Sequence, residues 1–220
     1  MIIAIDGPAA SGKGTLARRL AEHFGMEYMD TGRLYRATAF ELLNEGLSVR
    51  DQRDAVRAAS RLAEKIRRQG ASAVLDNPTL REDRIGTEAS KVAAIPEARA
   101  ALLGIQRDFA TSPAARRKGA VLDGRDVGTV ICPDADVKLF VTAALKIRAE
   151  RRLKELQSRG ISVTYSTVLD DMRDRDKRDD HTLKAHEAAG YVTNILDTTD
   201  MTPQQAFENA LKIIKAAQSS

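Results

Sequence analysis

A chain of 220 residues is long enough to bury a hydrophobic core without disulfide or metal staples. With 43% hydrophobic and 30% charged residues it reads as globular rather than disordered, and a single cysteine, Cys132, excludes an internal disulfide framework and a multi-cysteine zinc site. Lys and Arg outnumber Asp and Glu by 35 to 31, which suits an anionic ligand, but 4% aromatics and no Trp leave few stacking platforms for nucleic acid, so a small phosphorylated molecule fits better. No apolar run approaches the ~20 residues that cross a bilayer. The apolar start, Ile2 to Ile5, is too short for a signal peptide and has no basic residues before it, so a cytoplasmic location is expected.

In chain order, Met1 to Asp6 reads as a compact buried strand ended by Gly7, and Gly14 to Phe24 as the helix after it. A second strand, Glu27 to Met29, leads into a helix over Arg33 to Asn44 that stops near Gly46. Leu47 to Lys118 is long and less regular; it offers one candidate strand, Ala73 to Asp76, with Asn77-Pro78 as a turn, and reads as an insertion. Ala120 to Asp123, Val137 to Thr142 and Asn194 to Asp197 read as further strands. Between the last two, Ala143 to Arg159 is strongly helical and ends at Gly160. Pro203 to Ala217 closes the chain as a helix capped by Thr202. Apolar strands alternating with helices predict an α/β fold whose parallel sheet is buried on both faces.

The sharpest motif is Gly7-Pro8-Ala9-Ala10-Ser11-Gly12-Lys13-Gly14-Thr15, between a predicted strand and a predicted helix. Glycines let successive backbone N–H groups surround phosphate oxygens, the helix N-terminus adds unpaired donors, and Lys13 brings a mobile charge. The pattern departs slightly from the general phosphate loop: Gly14 follows Lys13, and the hydroxyl comes one place later, at Thr15. Nucleotide binding follows from this motif; the acceptor of any transferred group does not.

Two further segments lie after predicted strands, where open α/β sheets gather ligands. Asp30 to Arg36 offers a hydroxyl, an aromatic ring and an arginine; an ordinary capped helix with a solvated Arg would look the same. Asp123 to Thr129 places Asp123, Arg125 and Asp126 at the same edge as Asp6; a carboxylate there can orient Mg²⁺ through water and Arg125 can hold a phosphate, or the segment is a tight turn with a local Asp–Arg pair. Arg148 and Arg152 share a helix face. Arg173, Arg175 and Arg178 sit among Asp174, Asp176, Asp179 and Asp180; they suit either a lid over ATP phosphates or a solvated ion-paired helix. His23, His181 and His186 lack metal-ligand spacing, and Cys132, before Pro133, is expected to be merely buried.

The blocks Ile5–Thr15, Asp30–Arg36, Ala89–Ala94 (ASKVAA), Asp123–Thr129 (DGRDVGT) and Arg175–Asp179 (RDKRD) together resemble bacterial cytidylate kinases, of the nucleoside monophosphate kinase group, over nearly the whole chain. The resemblance implies a P-loop three-layer fold with a five-stranded parallel core (about 1–46 and 88–220), an acceptor-binding insertion (about 47–87) and a lid (about 150–190). It implies transfer of the ATP γ-phosphoryl group to CMP or dCMP, with Mg²⁺ held by ATP and water, in a cytoplasmic enzyme expected to be monomeric, without nucleic-acid or membrane partners.

On this resemblance Gly7, Pro8, Ala9, Ala10, Ser11, Gly12, Lys13, Gly14 and Thr15 hold ATP phosphates, with Arg148 and Arg152 as lid cations. Thr31 and Tyr35 shape the acceptor pocket, Arg36 and Arg125 grip the CMP phosphate, Ser90, Arg99 and Asp126 read the cytosine, and Arg175 and Asp179 contact the ribose. Lys13, Arg125 and Asp123 are the catalytic set. One position departs: where the family's lid motif carries a further Arg, this chain has Thr182, and Leu183–Ala189 does not restore the usual continuation; Lys184 or Arg178 are the substitutes at hand, though Lys lacks the bidentate fork. A kinase for another acceptor such as UMP, and a non-catalytic nucleotide-binding regulator with an altered lid, are the alternatives.

Overall fold

The computed structural model describes residues 1–188 and 194–218, with side chains for all of these except 180–188. In chain order the elements are β1 (Ile2–Asp6), α1 (Lys13–Phe24), β2 (Glu27–Asp30), α2 (Gly32–Asn44), α3 (Gln52–Gln69), α4 (Ala71–Leu75), a 3₁₀ turn (Pro78–Arg81), α5 (Asp83–Ala93), α6 (Pro96–Ala110), α7 (Pro113–Lys118), β3 (Ala120–Gly124), a π-helical turn (Val127–Ile131), β4 (Val137–Thr142), α8 (Leu145–Ser158), α9 (Tyr165–Ala188), β5 (Asn194–Asp197) and α10 (Pro203–Gln218). Packing divides the chain into two units, Met1–Met29 with Pro113–Ser220, and Asp30–Ser112. The pattern of elements reads the insertion as Leu47 to Lys118, and the resemblance implies about 47–87 for it.

The first unit is built on a five-stranded parallel sheet in the order β2-β3-β1-β4-β5. In register, Asp6 of β1 stands beside Gly124 of β3 and Phe140 of β4, so the carboxyl ends of the central strands finish level. β1 and β3 are almost entirely buried, as strands covered on both faces must be. Along β4 burial alternates: Val137, Leu139 and Val141 are buried, while Lys138, Phe140 and Thr142 are only half so. The buried set packs with Ile3 and Ile5 against Leu16, Ala17 and Leu20 of α1 and Ala210 and Ile214 of α10. Each fully buried Leu or Ile there contributes roughly 1.5–3 kcal/mol. Thr202 caps α10 as expected, its Oγ1 accepting the Gln205 N–H at 3.2 Å. A smaller cluster, Ala149, Leu156, Val168 and Met172, joins α8 to α9.

The second unit is helical throughout, which corrects the reading of its middle. Ala73–Asp76 is not a strand: Ala71–Leu75 forms the short helix α4 and Asp76 is its C-terminal cap. Asn77 does turn the chain, accepting the Thr79 N–H at 3.0 Å to open the 3₁₀ turn. The seemingly irregular stretch before it is the long helix α3, started by Asp51, which accepts the Asp54 N–H at 3.0 Å. Its buried stripe, Ala55, Ala58, Ala59, Leu62, Ala63 and Ile66, follows helical spacing but is mostly alanine, a weak hydrophobic signal.

The turn out of β1 is sterically committed. A Cβ on Gly7, whose φ is 147°, would stand 2.0 Å from the Val141 carbonyl oxygen. That neighbour is backbone of a central strand and cannot yield. Gly7→Ala is expected to cost roughly 3 kcal/mol or more, the range of severe backbone and overpacking lesions; urea denaturation checks this, and an unchanged midpoint would refute it.

Candidate active site

The loop between β1 and α1 carries positive φ at Gly7 (147°), Ala10 (57°) and Gly12 (91°). Ala10 is the one non-glycine among the described residues with positive φ, a conformation costing about 1–2 kcal/mol for a residue with a Cβ. Such local strain persists where the surrounding structure over-determines it, and it clusters at ligand clamps. Gly12 stands at the N-cap of α1 with no side chain to cap it, and the first turn holds no acidic residue. A helix start without a side-chain cap is the kind of place where anions bind. Lys13 donates through Nζ to the Pro8 carbonyl at 3.3 Å, folding its ammonium back over the loop. The Ser11 hydroxyl is fully buried without a partner among the described residues.

Gly14, the departure from the general phosphate-loop pattern, has a steric cause. A Cβ there would lie 3.1 Å from Asp123 Oδ2. The missing side chain lets the first turn of α1 approach a carboxylate that is itself buried at the end of β3. Tyr28 donates to the other oxygen of Asp123 at 3.5 Å. The Thr15 hydroxyl is exposed on the same turn.

Asp6 has a different task from the one its edge position suggested. Its two oxygens accept the N–H groups of Val127 and Gly128, both at 2.8 Å. This pins the segment after β3, whose π-helical turn is closed by Val130 and Ile131 N–H groups on the Asp126 carbonyl. Single π turns recur at functional sites. Burial lowers the pKa of Lys138, partly offset by Asp134 and by Asp6.

The arginines sort by partner. Arg125 Nε donates to Asp179 of α9 at 2.7 Å and Nη1 to the Gly124 carbonyl at 3.3 Å. Arg148, 6% exposed, is held bidentate by Asp176 at 3.0 and 2.7 Å, and also donates to the carbonyls of Ala143 (2.8 Å) and Ala9 (3.4 Å). Arg152 pairs with Glu155 on its own helix at 2.7 Å. Arg173 with Asp170, and Lys177 with Asp174, are solvated neighbours of the kind expected on an ion-paired helix. Arg175 is half-buried on the same helix, α9, and the Arg178 Nε is buried with no partner among the described residues. The side chains of Asp180, His181, Thr182, Lys184 and His186 lie outside the described residues, as does the end of the expected lid.

In the second unit, Thr31 begins α2 and is buried, and its hydroxyl does not cap the helix. Tyr35 is buried one turn on, with the Arg99 guanidinium 5.6 Å from its ring centroid. Arg99, on α6, also donates to the Ala93 carbonyl at 3.2 Å, and Ser90, on α5, donates to Thr87 O at 2.7 Å. Arg36 donates to the carbonyls of Leu80 (2.9 Å) and Glu82 (3.3 Å). Its path crosses α5 at Gly86, where a Cβ would stand 2.6 Å from the guanidinium. Sequence reasoning missed Gly86, since nothing local marks it; it named Asp176 only as one acid of a charged cluster, without Arg148 as its partner, and it missed the Thr198–Arg151 pair.

The sequence profile of cytidylate kinases matches residues 3–216. The chain belongs to the cytidylate kinase family. It is 53% identical to a cytidylate kinase from Paramagnetospirillum magneticum over 213 residues, covering 97% of each chain. It is 51% identical to one from Rhodospirillum rubrum, again covering 97% of each, and 51% identical to one from Methylocella silvestris, covering 100% of this chain and 96% of the relative. Family membership makes the protein a nucleoside monophosphate kinase, a transferase with ATP as co-substrate. A crystal structure of an uncharacterized protein from Eubacterium ventriosum shares the fold, with a TM-score of 0.55 at 14% identity and 98% of each chain covered. Among the described residues no helix is long and apolar enough to cross a membrane.

The Arg36–Gly86 contact yields a prediction, because a flexible guanidinium can move where a backbone cannot. Gly86→Ala is expected to fold with a melting temperature near the parent's. If Arg36 grips the acceptor phosphate, as the resemblance implies, its displacement from the carbonyl partners should raise KM for CMP about three- to tenfold, the worth of roughly one ordinary hydrogen bond. Steady-state kinetics with CMP varied at saturating ATP tests this; an unchanged KM would refute it.

Proposed function

We propose that the loop from Gly7 to Thr15 binds the phosphates of ATP and that the chain transfers the γ-phosphoryl group to CMP or dCMP, giving CDP or dCDP. The observation that carries the donor half is the uncapped start of α1 behind a loop with three positive-φ residues and Lys13 folded over it. Backbone donors fixed in this way need no reorganisation when phosphate arrives. Family membership supports the acceptor half.

In this reading Lys13 neutralises the terminal phosphates, and Arg148 and Arg152 add positive charge on the α8 side. Thr31, Tyr35 and Arg36 receive CMP, with Ser90, Arg99 and Asp126 on the cytosine. The base presents an amino donor beside two acceptors, which a carboxylate or hydroxyl and an arginine can match. A base with the opposite pattern would leave buried polar groups unpaired, the stronger route to discrimination. Arg125 takes the acceptor phosphate, and Arg175 and Asp179 the ribose. Arg125 and Asp179 already satisfy one another. An arriving nucleotide would exchange a carboxylate for a phosphate on Arg125 and release Asp179 toward a sugar hydroxyl, so neither charge is left bare during binding.

Mg²⁺ fits the oxygens on offer. The Thr15 hydroxyl and the Asp123 carboxylate are hard donors, and Mg²⁺ bound to nucleotides takes one or two such groups beside phosphate and water. Held there, it would neutralise charge on the transferring group. Phosphoryl transfer asks little covalent chemistry of the protein; positioning and charge neutralisation supply the catalysis. The resemblance implies a monomeric enzyme, and a lone cysteine suits the cytoplasm.

The test is ADP production from Mg-ATP with CMP, dCMP, UMP, AMP and GMP offered separately beside a no-acceptor control. Turnover confined to CMP and dCMP is expected. Faster turnover of UMP would reassign the acceptor, and ATP binding without any turnover would point to a regulator. Lys13→Met should lower kcat by about a hundredfold or more while CMP binding persists, as for loss of a charge acting mainly in the transition state.

A further inference from the structure

Thr198 follows the last residue of β5 and is 4% exposed. Its hydroxyl lies 2.9 Å from the Ser11 carbonyl and 3.0 Å from the Thr142 carbonyl, and it accepts from Arg151 Nη1 at 3.0 Å. Arg151 Nη2 donates to the Thr198 carbonyl at 2.6 Å, and the Thr198 N–H to Thr142 O at 2.8 Å. The residue is therefore fixed by the end of β4 on one side and an arginine of α8 on the other. Its one hydroxyl hydrogen is shared between two carbonyls, one of which belongs to the phosphate loop.

That contact has a directional consequence. Among the described residues there are no cis peptide bonds, so in the Ser11–Gly12 peptide the carbonyl and the N–H point opposite ways. The carbonyl points down to buried Thr198, and Gly12 is exposed. The Gly12 N–H is thereby turned toward the open side of the loop, at the N-terminus of α1. A hydrogen-bond chain also polarises along its length. The Arg151 charge sharpens the Thr198 hydroxyl as a donor, which draws electron density onto the Ser11 oxygen and leaves the Gly12 N–H a stronger donor in turn.

We propose that Thr198, held by Arg151, is a positioning residue for ATP: it fixes and polarises the Ser11–Gly12 peptide so that the Gly12 N–H is ready for a phosphate oxygen before nucleotide arrives. The inference rests on the loop being the ATP phosphate site. It touches neither the reacting atoms nor the acceptor, so its signature is selective.

Thr198→Val keeps the side chain's shape and removes the hydroxyl. It is expected to weaken ATP binding, measured calorimetrically on the full chain, by about three- to tenfold, the worth of one hydrogen bond. CMP binding measured alone should stay within about twofold, below the loss of a single hydrogen bond, and Thr198→Ser should restore ATP affinity to the parent's value. A folded Thr198→Val that binds ATP like the parent, or that loses ATP and CMP affinity equally, overturns the proposal. If Thr198→Val does not fold, Arg151→Lys replaces it, since lysine cannot grip both Thr198 oxygens with one planar fork; ATP affinity should again fall alone, and an unchanged value overturns the proposal. If the parent itself does not bind ATP, the reading of the loop falls and this inference with it; if the parent binds and the variants bind equally, only this inference falls.

Discussion

The chain leaves β1 with the backbone of Gly7 pressed against the backbone of β4, and the phosphate loop inherits its shape from that contact. No side chain can stand where a Cβ would meet the Val141 oxygen at 2.0 Å, so the loop must turn there, at the level where the central strands end. From that fixed start Ala10 is driven to φ 57° and Gly12 to 91° before α1 begins. A sheet buried on both faces is what makes the constraint stiff: strands flanked by neighbours have no freedom to shift. Ala10 itself packs, with Ala9, against the α8–α9 cluster of Ala149, Leu156, Val168 and Met172.

A rigid sheet alone would fix where the loop starts, not how each peptide is turned. That finer control comes from polar side chains reaching the loop from other elements. Lys13 takes the Pro8 carbonyl, Arg148 the Ala9 carbonyl and Thr198 the Ser11 carbonyl. Three carbonyls of one short loop are thus each engaged by a side chain, and a trans peptide whose oxygen is held has its N–H direction set as well. Asp6 works in the opposite sense, receiving two N–H groups of the segment after β3. The end of β1 therefore anchors the segment after β3 through one carboxylate, and those two N–H groups give the buried acid its partners.

What could be read from the sequence follows from how local each signal is. The strand–glycine–lysine–helix succession around residues 2–24 is contiguous, and the apolar runs of β3, β4 and β5 stand out between helices, so those elements were placed within a residue or two. The strand expected at Ala73–Asp76 is instead part of helix α4, because a short apolar run with a β-branched residue has no period to distinguish strand from helix. Only the chain around it, ending α3 at Gly70 and turning again at Asn77, leaves room for one helical turn. The alanine stripe of α3 was overlooked because alanine barely raises the hydrophobic pattern, although its small side chains allow close packing. Residues whose importance is purely spatial were invisible: Gly86 matters because Arg36 crosses it, and Thr198 because strand ends converge there.

The carboxylates on α9 show why charge counting along the sequence could go only part of the way. RDRDKRD reads as an alternating solvated face, and Arg173, Asp174 and Lys177 behave so, with pairs confined to the helix surface. Asp176 and Asp179 lie on the same helix yet hold Arg148 and Arg125, from the start of α8 and the loop after β3. Helical geometry separates the two populations: 176 and 179 are three apart and share a face, while 174 and 177 share another. Of the two pairs only the Arg148 side chain is deeply buried, while Asp176, Arg125 and Asp179 are each about a quarter exposed, and in both pairs the carboxylate sets the direction of the guanidinium. The partners of these two arginines depend on the fold rather than on their neighbours in sequence, and that is why counting charges along RDRDKRD could not separate the inward carboxylates from the solvated ones.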